Sequence, residues 1–330
     1  MELLIAPLLL STVFASPDSK AGKFPKAKAA KSYGYGNMCM STSSMSMSVG
    51  PEPPITPSPT PAPTTSGVFL SAKGGDNGEV SFGEEFNSLK VDGSTALAII
   101  RGGSLDASSS DDNGLVVRND GSAYICKADL IKGGACISSS SIPCLTGDGL
   151  PGVQLSDQQA TAPNPNIYVV NARIEGGNAG DEGAFEGKGL VVNSGQADIV
   201  SKKSTIVGGL NGDNTSRGVA IEVGNSGNLY VYEGHIGDAI TGRSLNNFGS
   251  AYIYGGKWMG KWTVAGPTNV YGTNLELDVS NLLLTGTLCD GNEIDVQIIP
   301  QGGDLTLFQE QDSCSQYEDV TNTLPYSECE

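Results

Sequence analysis

Tyr230, Tyr232, Tyr252 and Tyr254 stand in two short runs, Asn228–Tyr232 and Ser250–Tyr254, in which they alternate with apolar residues. In an extended chain successive side chains point to opposite faces, so Leu229, Val231, Ala251 and Ile253 turn one way and the tyrosines the other. Tyr271 continues the pattern and Trp258 lies close by in sequence. Exposed rings stack on the apolar CH faces of sugars, which makes Tyr230, Tyr232, Tyr252, Tyr254, Tyr271 and Trp258 the candidate carbohydrate-binding residues. A second chemistry belongs to the acidic loops. Asp181 and Asp213 each close the phrase Gly-Gly-x-x-Gly-Asp (Gly176 to Asp181, Gly208 to Asp213). Hard cations such as Ca2+ take several oxygen ligands, and carboxylates on adjacent loops are the candidate donors. A third is the run Lys20, Lys23, Lys26, Lys28 and Lys31, whose closely spaced ammonium groups bind polyanions without needing a fold. Asn214-Thr215-Ser216 is an N-glycosylation sequon in a polar loop.

The elements that must position these groups are legible as repeats. Asn-x-Gly followed by a period-two run occurs at Asn119, Asn193, Asn225 and Asn247, because Asn and Gly accept the backbone angles of a tight turn. A second phrase, Ile-x-Gly-Gly, begins at Ile100, Ile131, Ile174, Ile206 and Ile253. Together they read as strand, Asn turn, strand, corner, strand, Gly-Gly and a loop of variable length. The expected fold is all-β: a right-handed parallel β-helix, or β-solenoid, with three strands per coil. One coil cannot bury its apolar side alone, so coils stack, with ladders of Ala, Ile, Leu and Val inside and Asn side chains bonded between turns. An antiparallel sandwich needs hairpins, which a repeat of this length does not supply.

Residues 1–15 read as a secretory signal peptide ending in Val13-Phe14-Ala15, although Glu2 replaces the usual basic start. Residues 16–66 are expected to be disordered, first Lys-, Ser- and Met-rich and then a Pro/Thr-rich stalk. The β-helix is assigned to 67–300, and 301–330 to a final strand or cap over the open end, pinned by a disulfide. No segment has the run of apolar residues that a membrane span needs. Seven cysteines without a zinc spacing favour disulfides and an oxidising exterior. Six of them fall in two groups, Cys126, Cys136, Cys144 and Cys289, Cys314, Cys329, with Cys39 alone in the N-terminal segment; each group is odd, which forces a bridge between groups or a free thiol. The formal charge is -17; residues 1–66 carry five lysines against Glu2, Asp18 and Glu52, so residues 67–330 carry -19. Such a body repels nucleic acid and anionic membrane.

Through the Asn-x-Gly turns and Ile-x-Gly-Gly strand ends, residues 90 to 300 resemble the pectin-lyase-like β-helix proteins. The lysine cluster resembles those of silaffin-type, silica-associated cell-wall proteins. The first resemblance implies paired Asp residues with Gly-His-Gly and Arg-Ile-Lys segments in a hydrolase. This chain has Asp111-Asp112, Gly234-His235-Ile236 and Arg173-Ile174-Glu175, each a broken match, and no residue is assigned a catalytic role. The expectation is a secreted, extracellular or cell-wall protein without enzymatic activity. Its expected partners are cell-wall polysaccharide or a silica-type anionic matrix, with a polysaccharide lyase or glycoside hydrolase of the same fold as the alternative.

Overall fold

A computed structural model of the chain describes residues 69–73, 79–82, 87–136, 147–156, 165–180, 185–309, 314, 315, 317 and 329. The expected signal peptide, the five lysines and the Pro/Thr-rich segment lie outside the described residues, and so does Asp181. Described regular structure is almost wholly β-strand. After β1 (Phe69–Lys73) and β2 (Glu79–Phe82), the first repeat comprises β3 (Leu89–Asp92), β4 (Leu97–Gly102) and β5 (Ser104–Asp106). The second is β6 (Leu115–Arg118), β7 (Ser122–Ile125) and β8 (Ala128–Lys132), and the third β9 (Val153–Ser156), β10 (Asn166–Val169) and β11 (Ala172–Glu175). In the next two, one long strand turns the first corner: β12 (Leu190–Ile199) with β13 (Thr205–Val207), then β14 (Ile221–Val231) with β15 (His235–Ile236). Then follow β16 (Arg243–Asn247), β17 (Ser250–Ile253) and β18 (Lys257–Trp258), and after them β19 (Lys261–Val264) and β20 (Thr268–Asp278). Here the chain digresses into an antiparallel sheet of β20, β21 (Leu283–Leu288) and β22 (Glu293–Pro300) before β23 (Leu305–Phe308).

Each strand of a repeat pairs in parallel with its counterpart in the next repeat. The first column runs β3–β6–β9–β12–β14–β16–β19–β22. The second runs β4–β7–β10–β12–β14–β17–β20–β23. The third is β5–β8–β11–β13–β15–β18. Outside these columns the pairing is antiparallel: β1 and β2 run antiparallel to β4 and β3 at the leading end of the stack, and β21 runs antiparallel to β20 and β22. Register then aligns like with like. Leu89, Leu115, Val153, Leu190, Ile221, Leu245, Trp262 and Ile298 form one buried row, and Leu105, Ile131, Ile174, Ile206, Ile236 and Trp258 another. Burying each such side chain is worth about 1.5–3 kcal/mol, and the gain exists only when a neighbouring repeat is present to cover it.

The recurrent phrases turn out to serve particular corners. All four Asn-x-Gly turns join the first column to the second. Among the four turn asparagines Asn193 and Asn225 are exposed while Asn119 and Asn247 bond across repeats, so the Asn side chains of these turns form no continuous ladder. Asn119 Nδ2 donates to Asp92 Oδ1 at 2.6 Å, and buried Asn247 Nδ2 donates to Pro267 O at 2.9 Å and Thr268 Oγ1 at 2.8 Å. Ile-x-Gly-Gly is two motifs. After β4 and β17 its second glycine, Gly103 or Gly256, has a positive φ and turns the corner into the third column. After β8, β11 and β13, Gly134, Gly177 and Gly209 lie one above another, and a Cβ on Gly177 or Gly209 would collide with the carbonyl oxygen of the glycine in the preceding repeat.

Gly177→Val should therefore destabilise the fold by about 3 kcal/mol, the upper end of overpacking costs. Gly242→Ala, whose Cβ would meet nothing closer than 4.0 Å, should change stability by about 0.5 kcal/mol or less. Urea midpoints of the two variants measure the difference.

Candidate functional site

The outer side of the second column carries the aromatic residues. Pairing places Tyr124, Tyr168, Asp198, Tyr230 and Tyr252 in one outward row, one residue per repeat. Two residues further along, Tyr232, Tyr254, Tyr271 and Phe308 form a second. The rings lie face to face: Tyr124 on Tyr168 at 4.9 Å, Tyr230 on Tyr252 at 4.6 Å, Tyr232 on Tyr254 at 5.2 Å, Tyr254 on Tyr271 at 4.2 Å and Tyr271 on Phe308 at 4.6 Å. A strand spacing of about 4.8 Å imposes this, since rings in register have no other place to go.

That geometry corrects the expectation of an exposed strip. Sugar stacking needs a free ring face, and in these columns every ring gives at least one face to a neighbouring ring, with Asp198 next to Tyr168 and Tyr230 and Asn269 next to Tyr252 on the other side. Tyr232 and Tyr254 are moreover buried, each 5 % exposed, while Tyr230, Tyr252 and Tyr271 are half-buried. Phe308, at the end of the stack, is the exception at 37 % exposed. Trp258 belongs to the core instead: on β18 it follows outward Lys257, aligns with Ile236, and packs edge-on against Trp262 at 4.8 Å. Its Nε1 donates to Gly255 O at 3.1 Å. Burial raises the tyrosine pKa values, Tyr168 and Tyr230 to about 12, and pushes Tyr232 and Tyr254 further up.

Part of the cover comes from the C-terminal residues. Tyr317 packs on the second row beside Cys289, and its hydroxyl donates to Glu233 Oε1 at 3.0 Å. Cys314 is bonded to Cys289, and Cys329 to Cys126, 203 residues away in sequence. β23 lies in the tail segment 301–330, and beyond it the described contacts run along the flank, from Cys289 to Cys126 in the second repeat. The Cys126–Cys329 bond is the bridge between cysteine groups that the odd counts allow, and Cys136 is disulfide-bonded as well.

One carboxylate interrupts the tyrosine row. Asp198 lies in register between Tyr168 and Tyr230, is 3 % exposed, and accepts a hydrogen bond from Gln196 Nε2 at 2.9 Å. Burial pushes its pKa up to about 7, with the Gln196 bond opposing part of that shift. The sequence carries a signal for this position: Gln-Ala-Asp198-Ile fills the slot of Ser-Ala-Tyr124-Ile and Ser-Ala-Tyr252-Ile.

The other candidates are dispersed. Asp213 is fully exposed, and its carboxylate accepts from the Thr215 amide at 3.0 Å and from Thr215 Oγ1 at 2.6 Å, bonds that hold its pKa down. With Asp181 outside the described residues, the Ca2+ pairing rests on this one carboxylate, and no group of three metal-binding side chains occurs among the described residues. Asn214, exposed at the tip of the same loop, is accessible to a glycan. Asp112 accepts from Ser88 Oγ at 3.2 Å in the first repeat, whereas His235 and Arg173 share a row on the third column, two repeats apart with Thr205 between them. Glu175, buried beside Arg173, receives three cations: Arg173 at 3.1 Å, Arg217 at 3.3 Å and Lys132 at 3.9 Å. None of the described helical residues forms a helix long and apolar enough to cross a membrane. The fold thus defines an all-β protein of stacked, mostly parallel strands clamped by disulfides. No family model, curated protein or solved structure matches the chain.

Asp198 links stability to pH. Its folded pKa of about 7 lies above the ordinary 3.8, so the native state holds the proton more tightly than the unfolded chain. The contribution is intact below the unfolded value and is lost as pH rises through the folded one, at up to about 1.4 kcal/mol per pH unit. Denaturant titrations at pH 5 and pH 8 should show the protein more stable at pH 5, and Asp198→Asn should shrink that difference.

Proposed function

We propose that the stacked repeats are coils of a right-handed parallel β-helix of the pectin-lyase-like kind, and that the chain is a secreted, non-enzymatic protein of a cell wall or extracellular matrix that binds polysaccharide, an anionic mineral, or both. The observation that carries this reading is the bond from Cys126 to Cys329 on the flank of the stack, together with Cys289–Cys314. Closing so long a loop stabilises by several kcal/mol, about 4.7 kcal/mol for a loop of ~100 residues, and such bonds persist outside the reducing cytosol. Each coil repeats its outward groups at one strand spacing, which suits a polymer with a repeat of its own. The basic segment Lys20 to Lys31 adds a charge-driven anchor to silica or another anionic matrix, opposite in sign to the acidic body.

Deleting residues 20–31 should release the protein from a silica or cell-wall fraction into the medium while secretion continues. Unchanged retention would reduce the lysine segment to a linker. Release of reducing ends from wall polysaccharide by the purified protein would replace the matrix reading with the lyase or hydrolase.

A further inference from the structure

The two aromatic rows hold a chemistry that stacking alone does not use. Among the described residues seven tyrosines and one phenylalanine stack in them, although the chain holds eleven tyrosines and eight phenylalanines. A phenylalanine stacks as a tyrosine does and brings no hydroxyl to desolvate, so packing does not account for the choice. In the second row the hydroxyls have a use, since that of Tyr254 donates to that of Tyr271. In the first row the hydroxyls of Tyr230 and Tyr252 bond no described residue.

Tyr230 on β14 and Tyr252 on β17 form a two-ring unit. Their rings lie 4.6 Å apart with planes 7° from parallel, and register places Asp198 beyond one ring and Asn269 beyond the other. The next ring beside them is Tyr232, 6.5 Å from Tyr230. Both members are half-buried, so an oxidant in solution reaches their edges, whereas Tyr232 and Tyr254 are each 5 % exposed. A phenol that loses one electron and its proton becomes a neutral radical, with spin on the oxygen and on the two ring carbons ortho to it. Near-parallel rings in register set the ortho carbons of one residue against those of the other. Competing sinks are out of the way. Every described cysteine is disulfide-bonded, and Trp258 and Trp262 lie in the core.

We propose that Tyr230 and Tyr252 are a site of oxidative coupling, joined ortho carbon to ortho carbon as dityrosine by hydrogen peroxide acting through a one-electron oxidant of the haem peroxidase class. Each phenol O–H gives up one electron and one proton, and the two radicals share their unpaired electrons in one C–C bond. The hydrogen on each coupled carbon then moves to its own oxygen, which restores both rings and both hydroxyls. The two electrons and two protons released reduce one hydrogen peroxide to two waters. The new bond ties β14 to β17 from one repeat to the next, adding a covalent staple to their backbone pairing. The inference rests on the oxidising exterior of the proposed function and on none of its ligands.

The test treats the full chain with hydrogen peroxide and a haem peroxidase, at a dilution that disfavours links between molecules. The monomer is isolated, reduced and digested with trypsin. Cleavage after Arg217, Arg243 and Lys257 puts Tyr230 and Tyr232 in peptide 218–243, and Tyr252 and Tyr254 in peptide 244–257. The expected product is one branched species of these two peptides, lighter than their sum by two hydrogens and fluorescent as dityrosine. Tyr252→Phe, which keeps the stacked ring, should lower its yield by about fivefold or more. Tyr232→Phe/Tyr254→Phe should leave the yield within about twofold. Thermal unfolding of each variant is the control, and if Tyr252→Phe unfolds early, Tyr230→Phe takes its place with the same expectation. Recovery of the two peptides unjoined overturns the proposal. So does an undiminished yield in Tyr252→Phe, a loss that instead follows Tyr232→Phe/Tyr254→Phe, or dityrosine confined to Tyr33, Tyr35 or Tyr326 or to links between molecules. Each of these leaves the matrix role standing, since no matrix ligand enters the experiment.

Discussion

Every repeat in this protein depends on its neighbour for the cover it cannot make itself. A single turn of three short strands has an apolar inner side and unpaired backbone groups along both edges, and neither is stable in water. Parallel pairing at one strand spacing resolves both at once: hydrogen bonds run between repeats, and rows such as Leu190, Ile221, Leu245 and Trp262 close the interior. The glycine stack Gly134, Gly177 and Gly209 follows from the same constraint, because backbones there approach too closely for any side chain.

The constraint reaches the outside as well. A tyrosine repeated at the same register is obliged to stack on its neighbours, so rows that look like a ligand platform in sequence become struts that spend their ring faces on each other. Tyr317 and the two clamped cysteines at Cys289 and Cys126 lie along those struts. Asp198 is buried in the same row with one hydrogen bond from Gln196, where a tyrosine would have continued the stack. A carboxyl so placed is kept protonated more readily than in water, so the stability of this row answers to pH near neutrality.

Charge follows a different logic on each side. On the third column Arg173, Thr205, His235 and Lys257 share one row, and nearby Glu175, Glu233 and Asp238 are each tied to a partner. Net charge alone pointed away from anionic partners for the whole body. A charge sum carries no position, and position decides which sign a polymer meets.

The sequence by itself determined the strand-turn alternation, the inward Leu, Ile and Val, and the use of Asn-x-Gly at a corner, because turn preference and period-two patterning are local properties of the chain. It also showed that odd cysteine groups admit a long-range bridge. Only the tertiary structure decided that Ile-x-Gly-Gly is two motifs, that Trp258 faces the core, that Tyr232 and Tyr254 are covered, and that Cys329 returns to Cys126. Each of these depends on which residue of another repeat sits above or below. Register between segments tens to hundreds of residues apart is set by packing, and no local preference encodes it.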